Sequence, residues 1–294
     1  MNVDELMTRA RAVDRSELGP ADILLTDRVV VVTGGGGGIG LGVALGAAEF
    51  GADVAVLEVD PDRCAAAQAA IEATGRRALA VQCDVMDSDA LRAAIRRVAA
   101  EFGRLDALVN NAGGVRGGPF LTMPDASMRR HIDINLVSTL VATQEAARVM
   151  CEAGTGGAIV NVSSIEAMRA APMFAVYAAC KAGMVNFTRT MALELAEHRI
   201  RVNGIAPDHT ITPGMRGNLR GPVDPASWSD TDESYQRVVP LGREGLVDEC
   251  AAVAVWLCSA MSGYVTGVTV NVDGGTWASS GWLRDADGGW TFSP

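Results

Sequence analysis

The fold is decided between residues 28 and 60, which read RVVVVTGGGGGIGLGVALGAAEFGADVAVLEVD. A β-branched apolar run is followed by a glycine turn, an alanine-rich segment of helical character and a second apolar run. A strand, a turn, a helix and a second strand within about thirty residues form the pattern of a βαβ unit. The organised part of the chain therefore begins with this unit.

The same alternation continues along the rest of the chain. Apolar runs near 78–83, 106–109, 157–162, 200–206 and 267–272 are predicted strands, with helical stretches between them. Apolar strands separated by helices of about ten or more residues indicate a parallel sheet that is covered on both faces. The predicted fold class is therefore α/β, a doubly wound parallel sheet of the Rossmann kind in a single domain.

Composition divides the chain into a main domain with two appendages. Residues 1–24 are predicted to form an N-terminal arm, residues 25–275 the single domain, and residues 276–294 a C-terminal tail. Inside the domain, residues 208–240 are rich in Pro, Gly and Asp. Because a long irregular segment in a compact domain is usually functional, this segment is predicted to be a substrate loop.

Charge and cysteine usage restrict the partners. The 294 residues include 25 basic and 35 acidic side chains, a formal net charge of -10. Nucleic acids and anionic membranes require a basic face, so small molecules are the favoured partners. The six cysteines form no CxxC pair and have no histidine at metal-ligand spacing, which predicts reduced thiols and no metal site. There is no apolar leader and no run of membrane length, so a soluble cytoplasmic protein is predicted.

The glycine turn has the spacing TGxxxGxG, formed by Thr33, Gly34, Gly38, Ile39 and Gly40 directly after the first strand. Glycines allow a sharp turn and a close approach of the backbone to a pyrophosphate, whose charge then lies at the N-terminus of the next helix. A glycine run alone could be a flexible turn. Its position between a strand and a helix favours dinucleotide binding.

Glu58 ends the second strand, twenty residues after Gly38. A carboxylate at that position accepts hydrogen bonds from the adenosine ribose hydroxyls and repels a 2′-phosphate. The glycine turn contains no arginine, so the predicted cofactor is NAD rather than NADP. The alternative is a solvated acid at a strand end, with Asp60 or Asp62 sharing the role.

The stretch SSIEAMRAAPMFAVYAACK, residues 163–181, carries the predicted chemistry. Lys181 is the only lysine of the chain and lies four residues after Tyr177, so a helix places the two on one face. A neighbouring cation favours the phenolate, which would bring Tyr177 into the range of a general acid or base. Ser164 could hydrogen-bond the same substrate oxygen. For the Tyr and Lys pair alone, an ordinary amphipathic helix is the competing interpretation.

Together these residues resemble the short-chain dehydrogenase/reductase family in its single-domain form, over about residues 25–275. The family's order and spacing are matched by Thr33 to Gly40, Asp84-Val85, Asn110-Asn111-Ala112-Gly113, Asn135, Ser164, Tyr177 and Lys181.

The resemblance implies a role for each of these positions in cofactor binding. Asp84 and Val85 would contact the adenine, and Asn111, Ala112 and Gly113 would flank the nicotinamide-side ribose. Three further residues, Pro207, Thr210 and Thr212, would lie near the nicotinamide amide.

For catalysis, the resemblance implies that Ser164 positions the substrate oxygen and that Tyr177 donates or removes its proton. Lys181 would lower the Tyr177 pKa and hold the ribose. Asn135 would hold a water that links Lys181 to solvent. Hydride would pass between the substrate carbon and the nicotinamide, whose redox chemistry belongs to the cofactor.

The chain departs from the family pattern at three positions, of which Thr210 stands where isoleucine or valine is common. Glu58 stands where the family usually has Asp. The segment after the sixth strand reads Pro207-Asp208-His209-Thr210-Ile211-Thr212, with Asp208 where glycine is common. The change at Glu58 keeps the charge on a longer arm, and the change at Asp208 puts the contacts of Thr210 and Thr212 in question.

The predicted function is NAD-dependent hydride transfer to or from a secondary alcohol or ketone, with cyclic or steroid-like substrates in view. Such a substrate would suit an apolar set in the pocket, formed by Met168, Met173, Phe174, Met215, Leu219 and Trp228. Two alternatives stay open: an NAD-binding sensor without turnover, and an NAD-dependent epimerase or dehydratase.

The resemblance also implies a homo-oligomer, a dimer or a tetramer. Trp277, Trp282, Trp290 and Phe292 lie in the tail, and their large apolar area predicts docking on a neighbouring subunit.

Overall fold

A parallel sheet of seven strands forms the centre of the protein. The computed structural model describes residues 19–212, 233–285 and 287–292. The strands stand in the order β3-β2-β1-β4-β5-β6-β7, and all neighbours pair parallel. They are β1 (Val29–Thr33), β2 (Asp53–Glu58), β3 (Ala78–Gln82), β4 (Ala107–Asn110), β5 (Gly157–Val162), β6 (Ile200–Pro207) and β7 (Thr269–Val272).

Helices connect the strands and cover both faces of the sheet. They are α1 (Gly38–Glu49), α2 (Pro61–Glu72), α3 (Ser88–Phe102), α4 (Asp125–Ile132), α5 (Ser138–Ala153), α6 (Ala175–Glu194), α7 (Glu233–Val238), α8 (Val247–Cys258) and α9 (Thr276–Ser279). None of the described helices is both long and apolar enough to cross a membrane.

Strand β1 shows why its sequence is an uninterrupted apolar run. All five of its residues are buried. Val30 and Val32 belong to the core beneath α1, α2 and α8, whereas Val29 and Val31 belong to the core beneath α3 and α5. Since successive side chains of a strand point to opposite faces, a strand covered on both sides needs apolar residues at every position.

The strand order places the ends of the predicted functional segments together. The order reverses between β1 and β4, the neighbours at the centre of the sheet. In a parallel sheet all carboxyl ends lie at one edge, and the crevice at such a reversal is where open α/β sheets bind ligands. Thr33, Glu58, Asn110, Val162 and Pro207 end their strands at this edge.

The predicted fold class is confirmed, and the predicted strands form with ends shifted by one or two residues. One helix differs from the prediction. The helix predicted around Asn135 is interrupted by a π-helical turn at Asp133–Val137, where the backbone hydrogen bonds skip an extra residue. Periodicity cannot show this, because one inserted residue barely changes the apolar spacing.

The predicted substrate loop and tail are partly described. After β6, Thr210 forms an isolated bridge with Gly245, and α7 follows before the chain returns to the sheet. Met215, Leu219 and Trp228 lie outside the described residues, as do residues 1–18 of the predicted arm.

The tail forms a short antiparallel hairpin of β8 (Leu283–Arg284) and β9 (Trp290–Thr291). In this hairpin Trp282 packs edge-on against Phe292, with ring centroids 5.4 Å apart. The guanidinium of Arg284 lies 3.9 Å from the centroid of the Trp290 ring.

Candidate active site

The glycine turn after β1 forms a cradle that other side chains would block. Gly34 and Gly38 have φ values of 61° and 53°, in the left-handed region that disfavours side chains. A Cβ atom on Gly40 would overlap the Gly34 carbonyl and the Asn111 amide, and one on Gly36 would lie 2.7 Å from Glu58 Cγ. This compact backbone fits the close approach that a pyrophosphate requires.

The end of β4 holds this turn in place. The Thr33 hydroxyl accepts hydrogen bonds from the backbone N–H groups of Asn111 and Ala112, each at 3.0 Å. The side-chain amide of Asn111 donates to the carbonyls of Thr33 and Gly34 at 3.1 and 3.0 Å. Asn111 therefore shapes the cradle through its amide, a role that the expected contact with the ribose did not include.

Glu58 is 6% exposed, and its side chain contacts the glycine turn. Its carboxylate accepts hydrogen bonds from the backbone N–H groups of Gly36 at 3.1 Å, Val59 at 2.9 Å and Asp60 at 3.2 Å. Each carboxylate oxygen can accept more than one hydrogen bond, so these contacts leave capacity for a ribose hydroxyl. The solvated strand-end acid, considered as an alternative, does not describe this buried group.

An arginine from another element lies beside the same turn. A Cβ atom on Gly37 would be 3.7 Å from Arg63 Nη1, although the turn itself contains no arginine. Arg63 lies near the start of α2, and its side chain is 62% exposed. The region that an adenosine ribose would occupy is therefore flanked by a buried carboxylate and an exposed guanidinium.

Asp84 and Val85 follow β3 at the same edge of the sheet. Asp84 Oδ1 accepts a hydrogen bond from the backbone N–H of Met86 at 3.0 Å, and Val85 is buried in the core. Neither residue lines the cavity that holds the predicted catalytic groups.

A cavity of about 250 Å³ lies where β5, β6 and α6 meet the glycine turn. It brings together many of the predicted site residues, namely Ile39, Asn111, Gly113, Asn135, Ser164, Tyr177, Lys181, Pro207, Thr210 and Thr212. The remaining predicted residues, Thr33, Gly34, Gly38, Gly40, Glu58, Asp84, Val85 and Ala112, lie outside it. Gly38 adjoins it, because a Cβ atom there would be 3.5 Å from Thr212 Cγ2.

Lys181 is 4% exposed, and its Nζ donates a hydrogen bond to the carbonyl of Val162 at 2.7 Å. The same Nζ lies 5.7 Å from the centroid of the Tyr177 ring. Burial lowers the pKa of Lys181 from 10.5 to about 8, because the desolvated ammonium loses the hydration that favours its charged form.

The pKa of Tyr177 is raised, not lowered as the sequence predicted. Burial of the phenol is the largest cause, and the charge of Glu166 acts in the same direction, whereas a hydrogen bond with Ser164 lowers the pKa. The Lys181 ammonium donates its hydrogen bond to the Val162 carbonyl. In this arrangement the protonated phenol is favoured, which suits a proton donor to a carbonyl oxygen.

Asn135 is fully buried in the π-helical turn. Its amide donates to the carbonyls of Gly114 at 2.8 Å and His131 at 3.0 Å, and its Oδ1 accepts from the N–H of Gly114 at 3.1 Å. These contacts fix the segment after β4 against the helix. The π turn directs Asn135 at the cavity, in keeping with the frequent occurrence of such turns at functional sites.

Two groups of residues near the cavity were not identified from the sequence. Beneath the cavity, Asn110 donates to Thr143 and Asn161, and Asn161 donates to Thr188, each at 2.9 Å. The signal was available, because Asn161 interrupts the apolar run AIVNV of a buried strand. Beside the cavity, Arg169 pairs with Glu166 at 2.7 Å and with Asp208 at 3.5 Å. Asp208 is 39 positions from Arg169 in the chain.

 Local spacing therefore carries no signal for the second pair, which only the folded chain brings together.

The geometry supports acid–base chemistry at one point of the cavity. Ser164 and Tyr177 both line this cavity, so both can reach a single substrate oxygen. A nicotinamide cofactor, held through its pyrophosphate at the glycine turn, would supply the hydride acceptor or donor. In that arrangement Ser164 would orient the oxygen, Tyr177 would exchange its proton, and the buried positive charge of Lys181 would stabilise negative charge that develops there.

The fold and this cavity define a class of protein, the dinucleotide-binding oxidoreductases with a doubly wound sheet. A family model described as Enoyl-(Acyl carrier protein) reductase matches residues 34–276. The chain is 36% identical over 256 residues to 3-oxoacyl-(acyl-carrier-protein) reductase FabG of Chlamydia muridarum, covering 86% of this chain and 98% of that protein. It is 34% identical over 270 residues to galactitol 2-dehydrogenase of Agrobacterium fabrum, covering 87% of this chain and 99% of that protein.

A solved structure of 7 alpha-hydroxysteroid dehydrogenase complexed with NADH and 7-oxo glycochenodeoxycholic acid superposes with a TM-score of 0.80 at 32% identity. The match covers 87% of this chain and 98% of that chain. The protein belongs to the short-chain dehydrogenase/reductase family, as the resemblance predicted. It is an oxidoreductase whose class of chemistry is hydride transfer with a nicotinamide cofactor.

Replacing Tyr177 with phenylalanine tests its assignment as the proton donor. The ring and its packing are kept, so we expect KM for the cofactor to stay within a few-fold. Because the proton-transfer group is lost, kcat should fall by about 10²–10⁴-fold. The control is Tyr264→Phe, since Tyr264 is fully exposed on the surface. A near-wild-type kcat for Tyr177→Phe on an established substrate would refute the assignment.

Replacing Lys181 with methionine tests the desolvation of its ammonium. With a folded pKa of about 8 and an ordinary value of 10.5, the unfolded chain binds more protons between these two pH values. Stability from this group therefore rises with pH across that window, and methionine removes the effect. We expect the Tm of the wild type, relative to that of the variant, to increase as pH rises through this range. A constant Tm difference would contradict the burial of a charged Lys181.

Proposed function

We propose that the protein is an NAD(H)-dependent dehydrogenase that interconverts a secondary alcohol and its ketone. The observation that carries the proposal is the cavity in which Ser164, Tyr177 and Lys181 converge next to Ile39 and Thr212 of the cofactor side. A hydroxyl group bound between Ser164 and Tyr177 would lie in the same cavity as these cofactor-side residues. The relatives' dehydrogenase and reductase activities support the same reaction class.

Exposed apolar side chains in and around the segment that follows Val115, a residue of the cavity lining, favour a cyclic or steroid-like carbon skeleton. Met173 and Phe174 are 49% and 36% exposed, and the Phe174 ring lies against Gly117, where a Cβ atom would be 2.8 Å from it. Phe120 and Leu121, on the same side of Gly117, are 56% and 96% exposed. Large exposed apolar groups in one region indicate a binding surface for an apolar molecule. A related structure holds the steroid 7-oxo glycochenodeoxycholic acid, which is consistent with this shape.

The activity is tested by following NADH absorbance with a panel of secondary alcohols and ketones, cyclic and acyclic. Turnover of at least one of them supports the proposal. Tight NAD binding without turnover of any panel member would favour the sensor alternative. Inversion of a hydroxyl centre without net change in NADH would favour an epimerase.

The preference for NAD over NADP rests on Glu58. Its buried carboxylate lies at the end of β2 and would repel a 2′-phosphate. Arg63 is the competing group, because an exposed guanidinium near Gly37 is suited to bind a phosphate. The charge of Arg63 is partly offset by Asp60, whose Oδ2 lies 3.9 Å from its Nε. We therefore assign NAD as the cofactor.

Two substitutions separate these groups. Glu58→Ala removes the ribose acceptor and the opposing charge, so the ratio of kcat/KM for NADP to that for NAD should rise by about 10- to 100-fold. Arg63→Ala should leave the NAD preference of the wild type in place. A wild type that prefers NADP, and loses this preference in Arg63→Ala, would show that Arg63 and not Glu58 selects the cofactor.

We further propose a homo-oligomer in which the tail contributes to the interface. Trp277, Trp282, Trp290 and Phe292 remain 39%, 47%, 46% and 68% exposed in the single chain. Exposed apolar patches of this kind mark interaction surfaces. The hairpin already packs on its own chain, because Arg237 donates to the Arg284 carbonyl at 3.3 Å, so the proposed neighbour would cover its outer face.

Deleting residues 278–294 tests the role of the tail. We expect a smaller oligomer in light scattering, or a higher KM for substrate with KM for NAD unchanged, because the aromatic surface is lost. Tm and the far-ultraviolet circular dichroism spectrum report whether the domain still folds. If the truncated protein keeps the same oligomer and the same kinetics, the tail does not contribute to assembly or to the substrate site.

A further inference from the structure

Asp208 is a buried carboxylate close to Ser164 and Tyr177. One of its two oxygens accepts no hydrogen bond from any residue that the structure describes. Asp208 follows β6 and lines the cavity that holds Ser164 and Tyr177. It also lines an adjoining cavity of about 430 Å³. The side chain is only 7% exposed, and its Oδ2 has no hydrogen-bond partner within the described residues.

The other oxygen of Asp208 is already paired. Arg169 Nη2 lies 3.5 Å from Oδ1 while it binds Glu166 at 2.7 Å, and His209 Nε2 lies 3.7 Å from the same Oδ1. The nearby hydroxyl of Thr276 donates its proton to the carbonyl of Asp273 at 2.7 Å. Arg169 and His209 both lie at Oδ1, so Oδ2 is the oxygen that can accept a hydrogen bond from the hydroxyl group of a bound molecule.

An unpaired carboxylate oxygen in a buried site carries a desolvation cost, and burial accordingly raises the pKa of Asp208. A bound molecule that donates a hydrogen bond to Oδ2 would remove this cost. A molecule without such a donor would leave the desolvation cost of Oδ2 uncompensated. A site of this kind discriminates strongly between two ligands that differ by one hydroxyl group.

We propose that Asp208 is a specificity-determining residue that accepts a hydrogen bond from a second hydroxyl group of the substrate. The inference rests on the proposed function, in which the reacting hydroxyl lies between Ser164 and Tyr177. The preferred substrates are then diols and hydroxyketones rather than simple alcohols and ketones. Val239 and Leu241 line part of the adjoining cavity, so an apolar part of the substrate has a surface to contact there.

The test uses ring compounds that differ only in hydroxyl groups. Cyclohexanol is compared with 1,2-, 1,3- and 1,4-cyclohexanediol, so that the spacing of the second hydroxyl is varied on one carbon skeleton. For the wild type, kcat/KM should be about 10- to 100-fold higher for at least one diol than for cyclohexanol. Asp208→Ala should bring this ratio close to one. Asp208→Asn keeps an acceptor oxygen and should therefore retain part of the preference for the diol over cyclohexanol.

A neighbouring carboxylate provides the matched control. Glu249 lines the adjoining cavity, but both of its oxygens are taken, by Arg243 at 2.6 and 2.9 Å and by the N–H of Leu246 at 2.8 Å. Glu249→Gln should therefore keep the wild-type ratio of diol to cyclohexanol. Its Tm shows how much stability a charge substitution costs in this region.

Binding is measured independently of turnover, as the increase in Tm that each compound produces in the presence of NAD. The diol should raise the Tm of the wild type more than cyclohexanol does, and this difference should vanish in Asp208→Ala. A wild type that oxidises none of the compounds would count against the proposed function alone, because the binding difference would still support Asp208 as the acceptor.

Two outcomes overturn the inference. In the first, the wild type and Asp208→Ala show the same discrimination between diol and cyclohexanol. In the second, Asp208→Ala raises KM for NAD by tenfold or more while the diol ratio stays unchanged, which would assign Oδ2 to the carboxamide of the nicotinamide.

Discussion

The hydrogen bonds between the chain segments that leave β1 and β4 are the interaction on which the rest of the site depends. The Thr33 hydroxyl accepts two backbone hydrogen bonds from the chain that leaves β4, and the Asn111 amide returns two to the carbonyls of the glycine turn. These four hydrogen bonds join the ends of β1 and β4 at the point where the strand order reverses. The glycine cradle and the catalytic cavity therefore keep a fixed relation, although they come from residues far apart in the chain.

The site contains buried polar groups of a kind that a hydrophobic core excludes. Lys181 is desolvated enough to lower its pKa to about 8, and Tyr177 is held in its protonated form by burial. The buried chain from Asn110 through Asn161 to Thr188 supports the strand ends beneath them. Such groups specify one arrangement, because any shift would leave hydrogen bonds unmade in a medium without water. The stability lost by burying Lys181 is consistent with the usual conflict between activity and stability.

The cavity combines two surfaces of different chemistry. Its lining includes apolar side chains such as Ile39 and Val162 and polar ones such as Asp208, which pairs with Arg169. The substrates proposed above, apolar rings with hydroxyl groups, would match both kinds of lining. Hydrogen bonds to the buried Asp208 would discriminate between such substrates, since a hydrogen bond lost in a desolvated site costs more than one lost at the surface.

The sequence alone determined the strands, the glycine turn and the Tyr177–Lys181 pair, because apolar periodicity, glycine spacing and the i,i+4 rule are local properties of the chain. It did not determine the pKa of Tyr177, the π turn that directs Asn135, or the backbone hydrogen bonds that occupy Glu58. These depend on which groups become buried next to one another. Only the tertiary structure decided that Arg169 meets Asp208, because desolvation and pairing between segments 39 residues apart are properties of the packed chain.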